Sequence, residues 1–444
     1  MKHLLKTFPN RKFDANIVKA KDIFVYTNKN KKLMDMTGGF TGHAILGWGV
    51  KKIEQAIQTQ LKKVPHIDYK VYGDENREKL SKILTKNISI NLNKVFLVGG
   101  SGSEACEAAM KLSYQAHHDN GKEKKRIFLS RKQSYHGSTI AVTSLGDRPN
   151  LLFYKNLHDK TNFKIQEHNK YRHKKKNETD LEYSHRSAKD LEIKIKKIGP
   201  ENISGFVGET MLGGLIGDVP PTKYYWKLVR KICDRYDIHL IIDEVWCGTG
   251  TSGKYHCIEW DSVTPDFLFI CKTLAAGYMP ISAVLTTTKI ENIIKRGQKQ
   301  IQYSNTFQGH SVACAAALEV QKIINQTEFL KRVNKLGYYF RNNLETLLKD
   351  NDFFLNVRGR GLRNSLEYNC DEKNLFGIEL ANIMLEDHNI IISGKWHRVC
   401  FSQSLNIKKK ELDLFLDKFS KTFKKIQSKW TKKYYRNILP KAFY

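Results

Sequence analysis

Three groups of residues in this 444-residue chain have the types and spacing to do chemistry. The first is Gly99-Gly100-Ser101-Gly102-Ser103-Glu104. Glycines let the backbone approach an anion closely, and a helix beginning near Ser103 would offer free N–H groups and the positive end of its dipole. That suits a phosphate, although a tight turn with a serine cap would use the same residues. The second is Asp243-Glu244, at the end of the apolar run His239 to Asp243. A carboxylate there could hold a metal, a ribose hydroxyl or a protonated ring nitrogen, or could cap a helix. The third is Lys272, the only lysine between positions 255 and 288, directly after the apolar run Phe267 to Cys271. Burial would lower the pKa of its amine and make it nucleophilic toward an aldehyde. A lysine that snorkels to the surface would lack that property.

These groups need a scaffold that brings strand ends together. Val95 to Val98, Arg126 to Leu129, Ser204 to Val207, His239 to Asp243 and Phe267 to Cys271 read as short buried strands. Helical patterns lie between them, with apolar spacing at Ala105, Ala108, Ala109 and Leu112, and again over Tyr224 to Tyr236. Nearly all-apolar strands alternating with helices predict a largely parallel sheet covered on both faces, with ligands at the carboxyl ends of the strands. The segment from about Thr306 onward reads as mostly helical, with a short strand near Val399 to Phe401. No internal repeat is visible.

Together, a phosphate cradle, a strand-end aspartate and a buried lysine 29 residues later are what pyridoxal phosphate requires: an anchor for the phosphate, a partner for the ring nitrogen and an amine for the aldehyde. The motifs around them resemble the class III aminotransferases of fold type I. The resemblance runs from about Lys21 to Lys425. Its strongest parts are LIIDEVWCGTGTSGKYHC (240–257) and TPDFLFICKTLAAGYMPISAV (264–284). GGSGSEACEAAMKLS (99–113), SYHGST (134–139), YSNTFQGHSVACAAAL (303–318) and VRGRGL (357–362) match as well.

The resemblance implies an α/β large domain with a mostly parallel sheet sandwiched by helices, plus a small α+β domain. It implies pyridoxal 5'-phosphate as cofactor, Lys272 as the Schiff-base lysine and Asp243 as the partner of the ring nitrogen. Gly102 and Ser103 would bind the phosphate, Tyr135 would stack on one ring face and Val245 would pack on the other. Glu209 would lie near the ring or a substrate-gating arginine. Thr306 would reach the phosphate of the neighbouring subunit in a homodimer with shared active sites. The implied reaction moves an amino group from a primary amine or ω-amino acid to a 2-oxo acid. An aminomutase of the glutamate-1-semialdehyde type is the alternative.

The departures bear on substrate. Many members carry glutamine where this chain has Trp246, and several branches carry a carboxylate-clamping arginine where it has Ser138. The usual C-terminal arginine is replaced at Cys400, leaving Arg398, two residues earlier on the same strand face, as the candidate cation. Donors such as acetylornithine and 4-aminobutyrate are therefore disfavoured.

Composition narrows the classes further. The net charge of +30 could suit nucleic acid, but lysines spread along the whole chain read as a solvated basic surface, and no nucleic-acid partner is expected. Lys170 to Lys176 and the tail from Lys424 to Lys441 are the local clusters. The charge-free run from Thr273 to Thr288 is broken by Gly277 and Pro280, so no membrane span is expected. Eight cysteines without a C-x-x-C pair fit reduced thiols and a cytoplasmic location. The expected organisation is 1–60 as the N-terminal part of the small domain and 61–309 as the large domain, with a polar insertion near 165–190. Residues 310–425 would complete the small domain, and 426–444 would form a basic tail.

Overall fold

The computed structural model describes residues 3–5, 7, 15–158, 161–350, 354–368, 376–395 and 398–427. Its strands are β1 (Ile17–Lys21), β2 (Phe24–Thr27), β3 (Lys32–Asp35), β4 (Lys94–Leu97), β5 (Ile127–Arg131), β6 (Phe163–Ile165), β7 (Ile203–Glu209) and β8 (His239–Asp243). They continue with β9 (Phe267–Ile270), β10 (Ala283–Thr286), β11 (Phe354–Arg360), β12 (Arg363–Tyr368), β13 (Ile390–Ile391), β14 (Ser393–Lys395) and β15 (Arg398–Phe401).

A seven-stranded sheet in the order β4-β10-β9-β8-β7-β5-β6 forms the centre. Strands β9, β8, β7, β5 and β6 pair in parallel, and β10 runs antiparallel between β4 and β9. All residues of β7, β9 and β10 are buried, which is the burial an α/β sheet covered on both faces requires. The helix Gly102–His118 packs Ala105, Ala108, Ala109 and Leu112 against one face of the sheet, in a cluster with Val207, Ile241 and Phe269. The small residues let that helix lie close over the strands.

Two further sheets flank this core. One, β1-β2-β3-β13, joins the N-terminal strands to β13 near the other end of the chain through a parallel pairing of Met34 with Ile390. The other is β11-β12-β15-β14, all antiparallel. The segment from Thr306 onward is mostly helical, as expected, but it carries β11 to β14 besides the short strand expected near Val399. In β11 and β14 most residues are only partly buried, so their apolar alternation is weak.

The polar stretch 165–190 is not a loop either. It holds the end of edge strand β6, a short turn of helix and the first half of the helix Asp180–Ile198. Thr179 and Glu182 form a capping box at its start, while Tyr183, Ser184, Ser187 and Ala188 form the buried face. Three of those four are polar, so the amphipathic stripe does not stand out. The cations Lys170 and Lys174 of the basic cluster pair with Asp180, and Arg172 pairs with Glu367. Among the described residues no helix is long and apolar enough to cross a membrane. Residues 428–444, most of the expected basic tail, lie outside the described residues.

Candidate active site

The site forms where the carboxyl ends of β4, β7, β8 and β9 meet. At the end of β4, Ser101 caps the helix Gly102–His118. Its hydroxyl accepts the Glu104 N–H at 3.1 Å, while the Glu104 carboxylate accepts the Ser101 N–H at 2.9 Å. The cap leaves Gly102 and Ser103 in the open first turn. A Cβ on Gly102 would stand 3.0 Å from Val245, and one on Gly137 (φ +151°) would stand 2.6 Å from the Ser103 hydroxyl. Backbone and hydroxyl therefore converge only because both positions are glycine. The Ser103 hydroxyl also accepts the N–H of Ser138 at 3.0 Å, drawing the 135–139 loop onto the cradle.

Asp243 ends β8 and is buried. Its Oδ1 accepts the Val245 N–H at 2.9 Å, and its Oδ2 lies 2.8 Å from His136 Nδ1. A carboxylate has about four acceptor sites, so capacity remains for a further donor. The other nitrogen of His136, Nε2, is buried without a hydrogen-bond partner among the described residues. Glu209, in register with Asp243 on the neighbouring strand, accepts the N–H of Tyr135 at 3.3 Å and of Gly213 at 3.0 Å. Burial holds its pKa above the usual carboxylate range. The structure therefore sets Glu209 beside Asp243 and Tyr135. Its arginine neighbour, Arg131, bonds the Glu209 main-chain carbonyl and not the carboxylate.

Lys272 follows β9 by two residues and is partly exposed, although its surroundings are buried. Burial first and the positive charge of Arg363 second hold its amine below the ordinary lysine pKa, against the opposing pull of Asp243, Cys271 and Glu209. Its Nζ lies 5.2 Å from the centre of the Trp246 indole. The Tyr135 ring is partly exposed, with the Arg148 guanidinium 5.1 Å from its centre.

Two expected site residues have their hydrogen-bond partners outside this cluster. Thr306 is exposed, and its carbonyl lies 2.7 Å from His66 Nε2. Arg398 is buried on β15 and donates from Nη2 to the Leu215 carbonyl. It lies near Lys395, whose Nζ donates to the Gly214 carbonyl at 2.6 Å. Sequence reasoning missed three residues: His136, Arg363 and His43, whose pKa is lowered by burial and which feels the charges of Asp35, Lys272 and Arg363. Only His136 carried a signal, since it lies inside the SYHGST motif and a buried aspartate demands a donor.

Lone glycine turns, strand-end acids and buried lysines each occur in many proteins; the set assembled at one sheet edge is the arrangement of a pyridoxal-phosphate enzyme. The comparisons agree. The sequence profile of aminotransferase class-III matches residues 7–423, and the chain belongs to that family. An uncharacterised aminotransferase of Schizosaccharomyces pombe is 32% identical over 95% of this chain and 94% of its own. Gamma aminobutyrate transaminase 2 of Solanum lycopersicum is 30% identical, covering 92% of this chain and 91% of that one. Among solved structures, the omega transaminase of Pseudomonas jessenii in complex with PMP superposes with a TM-score of 0.87 at 27% identity, over 94% of this chain and 93% of that one. The fold is fold type I, the activity is amino transfer and the cofactor is pyridoxal 5'-phosphate. The residues present fit that group: a cradle that a Cβ would fill, a buried strand-end carboxylate with spare acceptor capacity, and an amine whose pKa is lowered by burial.

Proposed function

We propose that Lys272 carries the amino transfer, and the observation behind this is its place at the carboxyl end of β9, beside the parallel strand that ends in Asp243, where burial lowers the pKa of its amine. Gly102 and Ser103 would hold the phosphate, Asp243 the proton on the ring nitrogen, and Tyr135 and Val245 the two ring faces. His136 keeps the Asp243 carboxylate oriented. Pyridoxal phosphate, when bound, supplies an aldehyde for the donor's amine and a ring that withdraws electrons from the carbon losing its proton. The Nζ of Lys272 takes that proton as general base and returns it as general acid on the other side of the exchange. Glu209, beside Asp243, would hold the Tyr135 loop in place through the Tyr135 N–H.

The donor is a primary amine or ω-amino acid and the acceptor a 2-oxo acid. Ser138 in place of a clamping arginine supports a donor whose far end is neutral. The 4-aminobutyrate named for the tomato relative is the donor against which this reading must be measured. Arg398 remains the sequence-based candidate for a carboxylate at the outer end of the site. The active unit is a homodimer in which exposed Thr306 serves the partner's phosphate. Residues 1–60 and 310–425 form the small domain around 61–309, a division supported by the pairing of β3 with β13. The seven described cysteines are all free and buried, which supports a reducing, cytoplasmic setting.

The test is a half-reaction screen of amines with spectroscopic detection, followed by product analysis with a 2-oxo acid. One amino acid formed per amine consumed supports transfer. Isomerised amine without an acceptor would instead indicate an aminomutase.

A further inference from the structure

Arg363 opens β12 and is 1% exposed. Its Nε donates to the Trp246 carbonyl at 3.0 Å and its Nη2 to the Gly42 carbonyl at 2.5 Å. Nη1 is buried and has no hydrogen-bond partner among the described residues. The guanidinium carbon lies 4.4 Å from the centre of the Trp246 indole, the same ring that Lys272 Nζ approaches at 5.2 Å. Two glycines make this packing possible: a Cβ on Gly42 would collide with Arg363 Nη1, and one on Gly213 with Trp246 Cδ1. Segments around 42, 213, 246 and 363 thus converge to place a cation beside the reacting amine.

That placement is unfavourable unless something answers it. A buried charge is tolerated when it is paired and hydrogen-bonded. Asp218 acts on Arg363 electrostatically, but its Oδ1 accepts Trp246 Nε1 at 2.7 Å and its Oδ2 accepts the Ser365 hydroxyl at 2.6 Å. Arg363 also disfavours a positive charge on Lys272, and both groups lie close to the same indole. A carboxylate arriving beside them would relieve both. In a 2-oxo acid the carboxylate is bonded directly to the carbonyl carbon that reacts, so its anchor must lie next to the reacting amine. The charges acting most strongly on Lys272 are those of Arg363, Asp243, Cys271 and Glu209. Arg398 directs its Nη2 to Leu215.

We propose that Arg363 anchors the α-carboxylate of the 2-oxo acid acceptor, and of the amino acid it becomes, through Nη1 beside Trp246. This rests on the amino-transfer reading above and adds the residue that selects the acceptor. It also explains how a chain without the usual arginines at 138 and 400 can use an oxo acid. Trp246 then serves as the platform that holds the guanidinium in plane.

The test uses cofactor-loaded Arg363→Gln and Arg363→Lys, with Arg398→Gln alongside. Steady-state constants are measured for pyruvate and for butanal, which offers a carbonyl without a carboxylate. The Kd for propionate is measured by calorimetry, and melting temperature and cofactor absorbance are recorded on the same samples. The expected result is a rise on the order of 10- to 100-fold in the Arg363→Gln KM for pyruvate and Kd for propionate, well beyond any change with butanal, with partial recovery in Arg363→Lys. A parallel loss for pyruvate and butanal would overturn the proposal, because lost packing alone predicts it. So would a propionate Kd within twofold of wild type, whether or not the cofactor absorbance shifts, and so would a propionate loss confined to Arg398→Gln. Should both Arg363 variants fail to fold, Gly42→Ala, which crowds Nη1, must give the same pyruvate-specific defect. Propionate binding needs no turnover, so failure of amino transfer in the wild type would be recognised separately from failure of the Arg363 anchor.

Discussion

Lys272 and Asp243 are placed by neighbouring parallel strands whose register fixes their separation, with Asp243 opposite Phe269 and opposite Glu209 on the other side. Trp246 and Arg363 meet by another route. Arg363 comes from the antiparallel sheet β11-β12-β15-β14, and its two bonded partners come from segments near 42 and 246. The half of the site proposed to face the cofactor is thus a property of one sheet edge, and the half proposed to face the substrate is a property of how separate sheets pack. Strand ends tolerate little change without loss of register. The packing side depends instead on paired fits, Trp246 against Gly213 and Arg363 against Gly42, where a Cβ on either glycine would collide with its partner. Chemistry and substrate choice should therefore respond differently to substitution.

The largest expected effect is on the strand-edge side. Lys272→Ala should lower amino transfer by at least about four powers of ten, through loss of both nucleophile and proton carrier. The variant should still retain cofactor through Gly102, Ser103 and Asp243, as read by absorbance after gel filtration. Turnover within tenfold of wild type would remove the distinction between the two halves at its root.

The same contrast governs what could be read from sequence. The cradle, Asp243 and Lys272 were legible because each lies at the end of an apolar run, where a polar residue interrupts the pattern. The parallel sheet was legible for the same reason. Arg363 was not, because its significance lies in an unpartnered Nη1 and in contacts to Gly42 and Trp246, each more than a hundred positions away. The β11–β15 sheet was obscured by partly exposed strands, and the first half of the helix Asp180–Ile198 by a largely polar buried face. Sequence spacing reports local burial; it does not report which distant segments share a cavity.

A second expectation concerns Thr306, which is exposed and whose carbonyl faces His66. Thr306→Ala should weaken cofactor retention about tenfold, the size expected for one hydrogen bond to a charged group. Mixing it with Lys272→Ala chains should create dimers with one intact site, and activity should rise above that of either parent. No rise on mixing would place the cofactor phosphate wholly within one chain.

The two halves also touch electrostatically, which gives a sharper and smaller signal. Arg363 lowers the pKa of Lys272, so removing the guanidinium should raise it. The protonated amine is not nucleophilic, and capture of pyridoxal phosphate by the apoprotein should rise with pH and level off. In wild type the midpoint should lie below the ordinary lysine range; in Arg363→Gln it should move to higher pH. A midpoint that stays put would mean the halves are uncoupled and burial alone sets the lysine.

The smallest effect is expected at Ser138, where the two halves adjoin. Its N–H belongs to the cradle through Ser103, but its side chain is exposed and replaceable. Ser138→Arg should leave cofactor retention intact, because the backbone bond survives the substitution. It should bring a cation toward a donor's distal carboxylate, and an exposed pair of this kind contributes about 0.2–1 kcal/mol. The rate with 4-aminobutyrate, relative to an uncharged amine of similar length, should therefore rise by about 1.4- to fivefold, as read from single-turnover loss of the cofactor absorbance. A larger rise would show that Ser138 alone sets donor choice. A wild type already faster with 4-aminobutyrate than with any neutral amine would show that another cation, Arg363 or Arg398, serves the distal carboxylate, and the division between a fixed strand edge and a packed substrate wall would then have to be drawn elsewhere.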